Sequence, residues 1–254
     1  MGRSTPQMLA LDRNQNLFGM FVELPTPASV EIAAHAGWDF VVIDCEHAPI
    51  SQADLPGFIR AAEASAISAI VRLPSLTVEW MQAALDCGAA AVQVPQIASV
   101  AAARQAVEWA RFHPIGKRGF NPFVRAANYS AEPALEFMER SNRDVALILQ
   151  LESAAAVEAV EDIANIAGLD ALFIGPYDLS QSLGVPGEVT HPKVLAAGQR
   201  VIDAATKAGL AAAIFVNNHE AAKQWQQMGA RWISYSTDTF LLSKVMRKER
   251  LGLA

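Results

Sequence analysis

The sequence predicts an α/β protein of the (β/α)8 TIM-barrel class, and three observations carry that prediction. Short runs rich in Val, Ile, Leu, Ala and Phe recur eight times, and most are separated by a stretch with helical periodicity. The runs lack the alternation of a half-solvated strand, so they read as strands buried on both faces, as in a parallel sheet. The chain of 254 residues, 52% hydrophobic and 18% charged, suits one α/β barrel better than two small domains. A single domain spanning 1–254 is therefore expected.

The first strand falls at 17–24, stopped by Pro25 and Pro27, and a helix over 29–36 is closed by Gly37. The second and third strands, 39–43 and 67–73, flank a helix over 52–64. A helix over 78–86 ends at Gly88, the fourth strand at 90–94 ends at Pro95, and an alanine-rich helix covers 100–111. Residues 112–130 break the rhythm: His113-Pro114-Ile115-Gly116-Lys117-Arg118-Gly119-Phe120-Asn121-Pro122-Phe123 has turn formers and no period. A long irregular insert with aromatic and basic residues reads as a functional loop, in which Arg118 and Arg125 are either lid or anion contacts or solvated surface charge.

The series resumes with a helix over 133–140, a fifth strand at 145–151, a helix over 154–166 and a sixth strand at 170–175. A second loop, 176–191, leads to a helix over 194–208, a seventh strand at 211–216, a helix over 220–228 and an eighth strand at 232–236. The tail mixes Phe240, Leu241, Leu242, Val245 and Met246 with basic residues. Its apolar face closes the barrel or docks on a neighbouring subunit, and the sequence alone favours closure.

A net charge of −6 argues against nucleic acid or an anionic membrane as partner, since both require a basic surface. No run of about 18 apolar residues is present to span a bilayer. The N-terminus, Met1 to Gln7, lacks the apolar core of a secretory leader, so a soluble cytoplasmic protein is expected. Cys45 and Cys87 form neither a disulfide framework nor a metal-site spacing and read as small core residues.

The chemistry concentrates at strand ends. Between 147 and 180 two apolar runs each end on a lone carboxylate, Glu152 in the first and Asp178 just past the second. A β-α-β unit brings both to the C-terminal edge of the sheet, where active sites of barrels lie. Two acids with Gln150 nearby, and no Cys or His beside them, suit a hard divalent cation such as Mg²⁺ or Mn²⁺.

Strand two ends Asp44-Cys45-Glu46-His47, and His47 is the natural general base, because imidazole takes and returns a proton near neutrality. Asp44 joins the groups expected to face substrate. Arg72, at the mouth of strand three, suits a carboxylate or a developing enolate oxygen; a structural ion pair with Asp44 or Asp86 is the alternative. Asp86 sits where a helix dipole disfavours an anion, and a hydrogen bond to His47 would offset that cost and fix its tautomer. Amides around Gly175, Pro176, Tyr177 and Asp178 are placed to meet a substrate carboxylate.

Together these motifs resemble the HpcH/HpaI family of metal-dependent aldolases, in the phosphoenolpyruvate/pyruvate barrel superfamily. The resemblance runs over nearly the whole chain, through Asp44-x-Glu46-His47, Val71-Arg72, Leu85-Asp86-x-Gly88-Ala89, Gln150-x-Glu152 and Phe173-Ile174-Gly175-Pro176-x-Asp178-Leu179. It implies that Glu152 and Asp178 bind a divalent metal (Mg²⁺, Mn²⁺ or Co²⁺) that chelates pyruvate. It further implies His47 as base assisted by Asp86, Arg72 as stabiliser of the enolate, and Gln150 with the backbone at Tyr177 and Asp178 as the carboxylate site. Family members are often hexamers, trimers of dimers, in which the last helix packs on a neighbouring barrel; this shifts the expectation for residues 237–250 towards exchange between subunits.

The sequence departs from the family pattern at two places. Tyr177 stands where a small residue is usual, and Phe120-Asn121-Pro122-Phe123 replaces a glycine-rich segment. Both bear on the aldehyde.

The activity implied is reversible cleavage of a 4-hydroxy-2-oxo acid to pyruvate and an aldehyde. No lysine ends a predicted strand, which argues against a Schiff-base aldolase. A citryl-CoA-lyase-like enzyme or an oxaloacetate decarboxylase uses the same motifs, and a non-catalytic barrel would leave them unexplained. The segments after strands seven and eight lack the glycines of a phosphate-binding barrel.

Overall fold

The computed structural model describes residues 11–253; Met1 to Gln7, expected to lack a leader core, and Ala254 lie outside the described residues. Eight parallel strands close into a barrel in sequence order: β1 (Leu17–Val22), β2 (Phe40–Asp44), β3 (Ser68–Arg72), β4 (Ala91–Val94), β5 (Ala146–Leu151), β6 (Ala171–Ile174), β7 (Ala211–Val216) and β8 (Trp232–Thr237). Each falls within a residue or two of its predicted span, because strands buried on both faces leave an unbroken apolar run.

The helices are α1 (Ala28–His35), α2 (Leu55–Ala64), α3 (Val78–Cys87), α4 (Val100–Ala110), α5 (Ala134–Asp144), α6 (Ala154–Glu158), α7 (Val160–Ala164), α8 (Pro176–Ser182), α9 (Pro192–Lys207), α10 (His219–Met228) and α11 (Asp238–Gly252). Thr77, Ser99 and Asn218 each cap a helix by accepting a backbone N–H. Two readings need correction. The helix expected over 154–166 is broken at Ala159 into α6 and α7. The loop expected over 176–191 begins with α8, started by a proline in its first turn.

Strand parity divides the interior into two cores. Residues such as Val41, Ile43, Val71, Leu147 and Leu149 face the helices, while Phe40, Val42, Ile70, Ile148, Phe173 and Trp232 fill the barrel. Inside, large rings are accommodated by small neighbours: Ala91, Ala146, Ala171, Ala211 and Ala213 share that core. Gly19 is the sharpest case. It pairs in register with Phe40, and a Cβ there would overlap the Phe40 ring.

The insert at 112–130 is tied down rather than free. Arg118 is buried, donates to Asp86 Oδ1 at 2.7 Å and to Ser141 Oγ at 3.1 Å, and stacks on Phe112. Arg125 pairs with Glu63 and donates to the Cys87 carbonyl at 2.9 Å. Phe112, Phe120 and Phe137 pack ring against ring beneath it. The two arginines are thus neither lid contacts nor solvated charge in this chain.

α11 differs from the other long helices. It meets β1 and β8 at its start, none of its residues is buried, and Phe240, Leu242, Val245, Met246 and Leu251 are exposed.

Gly19→Ala is expected to cost about 1–3 kcal/mol, because Phe40 is fully buried and has no room to withdraw. Urea denaturation would measure it, and a midpoint equal to that of the unsubstituted protein would refute this packing.

Candidate active site

Parity that fills the lower barrel with apolar groups places polar ones at its C-terminal rim. On β2 the inward series Phe40, Val42 continues to Asp44; on β3 Ile70 is followed by Arg72; on β4 Ala91 by Gln93; on β5 Ile148 by Gln150 and then Glu152. Register sets them side by side, Asp44 opposite Arg72 and Arg72 opposite Gln93.

Asp44 is fully buried and accepts from Arg72 Nε at 3.0 Å and Arg72 Nη2 at 2.6 Å. Its Oδ1 also accepts the backbone N–H of Glu46 and of His47, so one carboxylate orients the arginine and the loop that carries the imidazole. This corrects the expectation that Asp44 meets substrate: its oxygens are taken within the protein, and the ion pair offered as the alternative for Arg72 is formed. Arg72 nonetheless lines the cavity, with its guanidinium carbon 4.7 Å from the centre of the Phe21 ring. Arg72 Nη1 also lies 3.1 Å from Glu46 Oε2, an ion-pair contact whose alignment is too poor for a hydrogen bond.

The expected Asp86–His47 bond is not formed. Within the chain Asp86 receives Arg118, and the acid beside His47 is Glu46, with 4.0 Å between Nε2 and Oε2. His47 itself is exposed and lines the cavity.

Glu152 occupies the most constrained position. Its Oε1 accepts the Gln96 backbone N–H at 2.7 Å and its Oε2 accepts Gln150 Nε2 at 2.5 Å. Gln150 in turn accepts Gln93 Nε2 at 2.5 Å, so two buried amides fix the carboxylate. Burial pushes the Glu152 pKa up, the two hydrogen bonds oppose this, and the charges of Asp178 and Glu46 add to the rise. Gly175 leaves the space this carboxylate fills: a Cβ there would lie 2.5 Å from Glu152 Oε2.

A buried acid raised by neighbouring acids is stabilised by a cation. The donor set fits a hard one, with carboxylate oxygens and no thiol or imidazole among the neighbours whose charge acts on Glu152. Among the described residues no group of three or more His, Cys, Asp and Glu side chains converges, so a cation held here would take few ligands from the protein and the rest from substrate and water, as is usual for Mg²⁺.

The cavity above these groups has a volume of about 410 Å³ and is lined by His47, Arg72, Gln150, Gly175, Pro176, Tyr177 and Asp178, all of them predicted site residues. Tyr177 faces the cavity: its hydroxyl accepts from Asn217 Nδ2 at 2.7 Å and its ring packs 6.1 Å from that of Phe215. Phe21, Glu23, Phe173, Phe215, Asn217, Ser236, Thr237 and Phe240 complete the lining and were not among the predicted site residues. Gln96 was not foreseen either. It adopts φ 57°, unusual for a residue with a side chain, and joins the two acids by donating through Nε2 to Glu46 Oε1 at 3.1 Å. Sequence carries no signal for a left-handed glutamine.

Gly175→Ala is expected to displace the Glu152 carboxylate while leaving the barrel folded, weakening divalent-cation affinity roughly 10- to 100-fold. Isothermal titration with Mn²⁺ would read this; unchanged affinity would separate Glu152 from any metal site.

The profile of the HpcH/HpaI aldolase/citrate lyase family matches residues 17–244. A hydroxypyruvate/pyruvate aldolase of Paraburkholderia phytofirmans is 36% identical over 251 residues, covering 96% of each chain. A 2-keto-3-deoxy-L-rhamnonate aldolase of Salmonella gallinarum is 32% identical over 248 residues, covering 96% of this chain and 91% of that one. The crystal structure of an HpcH/HpaI aldolase/citrate lyase family protein from Burkholderia cenocepacia superposes with a TM-score of 0.89 at 36% identity, over 95% of this chain and 96% of that one. With the match running from β1 into α11 and taking in every strand of the barrel, this chain belongs to the HpcH/HpaI aldolase/citrate lyase family.

Proposed function

We propose that this chain is a cytoplasmic, divalent-metal-dependent aldolase that reversibly cleaves a 4-hydroxy-2-oxo acid into pyruvate and an aldehyde. The observation that carries the reading is the convergence of an ion-paired Arg72, the Gln150–Glu152 pair and His47 at one cavity mouth. Among the described residues no helix is long and apolar enough to cross a membrane.

Glu152 and Asp178 would hold the cation, which when bound supplies fixed positive charge for the carboxylate and keto oxygens of pyruvate. Gln150 and the backbone at Gly175, Pro176, Tyr177 and Asp178 hold the carboxylate end. His47 takes the proton of the C4 hydroxyl, and the electron pair left on that oxygen forms the aldehyde as the C3–C4 bond breaks. The pair from that bond moves into the enolate of pyruvate, and Arg72 stands by with its charge already oriented by Asp44. His47 then returns the proton to C3.

The chain is also read as a homo-oligomer, a hexamer built as a trimer of dimers, with α11 packed on a neighbouring barrel. Exposed Leu242, Val245 and Met246 along a helix with no buried residue support that.

Arg72→Ala is expected to lower aldol turnover on the order of 10² to 10³, and His47→Ala about 10² to 10⁴. Both are read against a panel of aldehydes with pyruvate, with EDTA and then with Mg²⁺, Mn²⁺ or Co²⁺ restored. Full activity under complete chelation would overturn the metal role. For the assembly, Val245→Asp with Met246→Asp should reduce the mass in sedimentation equilibrium towards the 27.2 kDa of one chain. An unsubstituted protein that already sediments as one chain would refute the exchange.

A further inference from the structure

The cavity divides by strand. β2, β3, β5 and the segment after β6 carry His47, Arg72, Gln150 and Asp178, where the keto-acid end belongs on the aldolase reading. Continuing round the closed barrel, β7, β8, β1 and the start of α11 supply Phe215, Asn217, Ser236, Thr237, Phe21, Glu23 and Phe240. On that reading this second arc faces whatever the aldehyde carbon carries.

Glu23 is the one ionisable side chain of the second arc among the described lining residues. It is held without a cation. Its Oε2 accepts the Thr239 hydroxyl at 2.5 Å, Asp238 accepts the Glu23 backbone N–H, and no ion pair among the described residues includes it. Oε1 makes no hydrogen bond among the described residues. A carboxylate of this kind in a partly enclosed cavity repels a second carboxylate and accepts from hydroxyls. Asn217, Ser236 and the Tyr177 hydroxyl extend the same polar wall.

We propose that Glu23 determines the acceptor: the site takes neutral, hydroxyl-bearing aldehydes and rejects those that carry a carboxylate. The inference rests on the aldolase reading and adds to it the chemical class of the second substrate. A purely structural Glu23, latching the first turn of α11 through Thr239, would affect all aldehydes alike.

The test measures kcat/KM for addition of pyruvate, with Mn²⁺ present, to glycolaldehyde, propanal and succinic semialdehyde. It compares the unsubstituted protein with Glu23→Gln and Glu23→Ala. Glycolaldehyde is expected to lead in the unsubstituted protein, and both substitutions should narrow the glycolaldehyde-to-semialdehyde ratio about tenfold, largely through a lower KM for the semialdehyde. Each ratio is internal to one variant, so a general loss from a disturbed α11 cancels. A ratio unchanged in both variants overturns the proposal, as does preference of the unsubstituted protein for succinic semialdehyde or propanal; these two need no variant to fold. If the unsubstituted protein turns over none of the three, the aldolase reading itself falls and the proposal with it.

Discussion

The buried carboxylate of Asp44 is the interaction on which the site depends. Four donors converge on it: two guanidinium nitrogens of Arg72 and the backbone N–H groups of Glu46 and His47. An unpaired charge at that depth would cost several kcal/mol, so Arg72 stabilises this rim of the barrel as well as lining the cavity. The same carboxylate fixes the start of the His47 loop through its two backbone donors. Electrostatic preorganisation here is a property of the resting protein, present before any ligand arrives.

A second constraint runs through Glu152. Its carboxylate needs the volume that Gly175 leaves free, the donor that a left-handed Gln96 presents, and the amide chain from Gln93 through Gln150. These groups sit at the ends of three adjacent strands, β4, β5 and β6, so the site exists only when those strands are in register. The two constraints meet at Glu46, which touches both Arg72 and Gln96. Acid and base sides of the cavity are therefore linked by direct contacts.

What the sequence made legible follows the same logic. Eight apolar runs and the residues that end them, Arg72, Gln150, Glu152, His47 and Asp178, could be placed because a strand end in a parallel barrel has only one rim to reach. Partner choice was not legible. Within the chain Asp86 does not reach His47; spacing reports which carboxylates exist and not which arginine claims them, and Arg118, from an insert 32 residues further on, claims this one. That insert read as a functional loop because its aromatic residues, which pack on one another, have no periodicity to betray it. Glu23 was invisible for a different reason: it follows a strand whose end carried no motif, and only closure of β1 against β8 brings it to the cavity.

On the proposed function, this ring of residues generates and holds the enolate of pyruvate, whatever aldehyde follows. Exchange of the pyruvate C3 protons in D2O, followed by proton NMR with no aldehyde present, tests it most directly. The account predicts exchange that requires a divalent cation, stops on chelation and resumes when Mn²⁺ or Mg²⁺ is returned, and is lost in Arg72→Ala. Exchange that continues unchanged after complete chelation, or aldehyde turnover from a protein that never exchanges these protons, would contradict it.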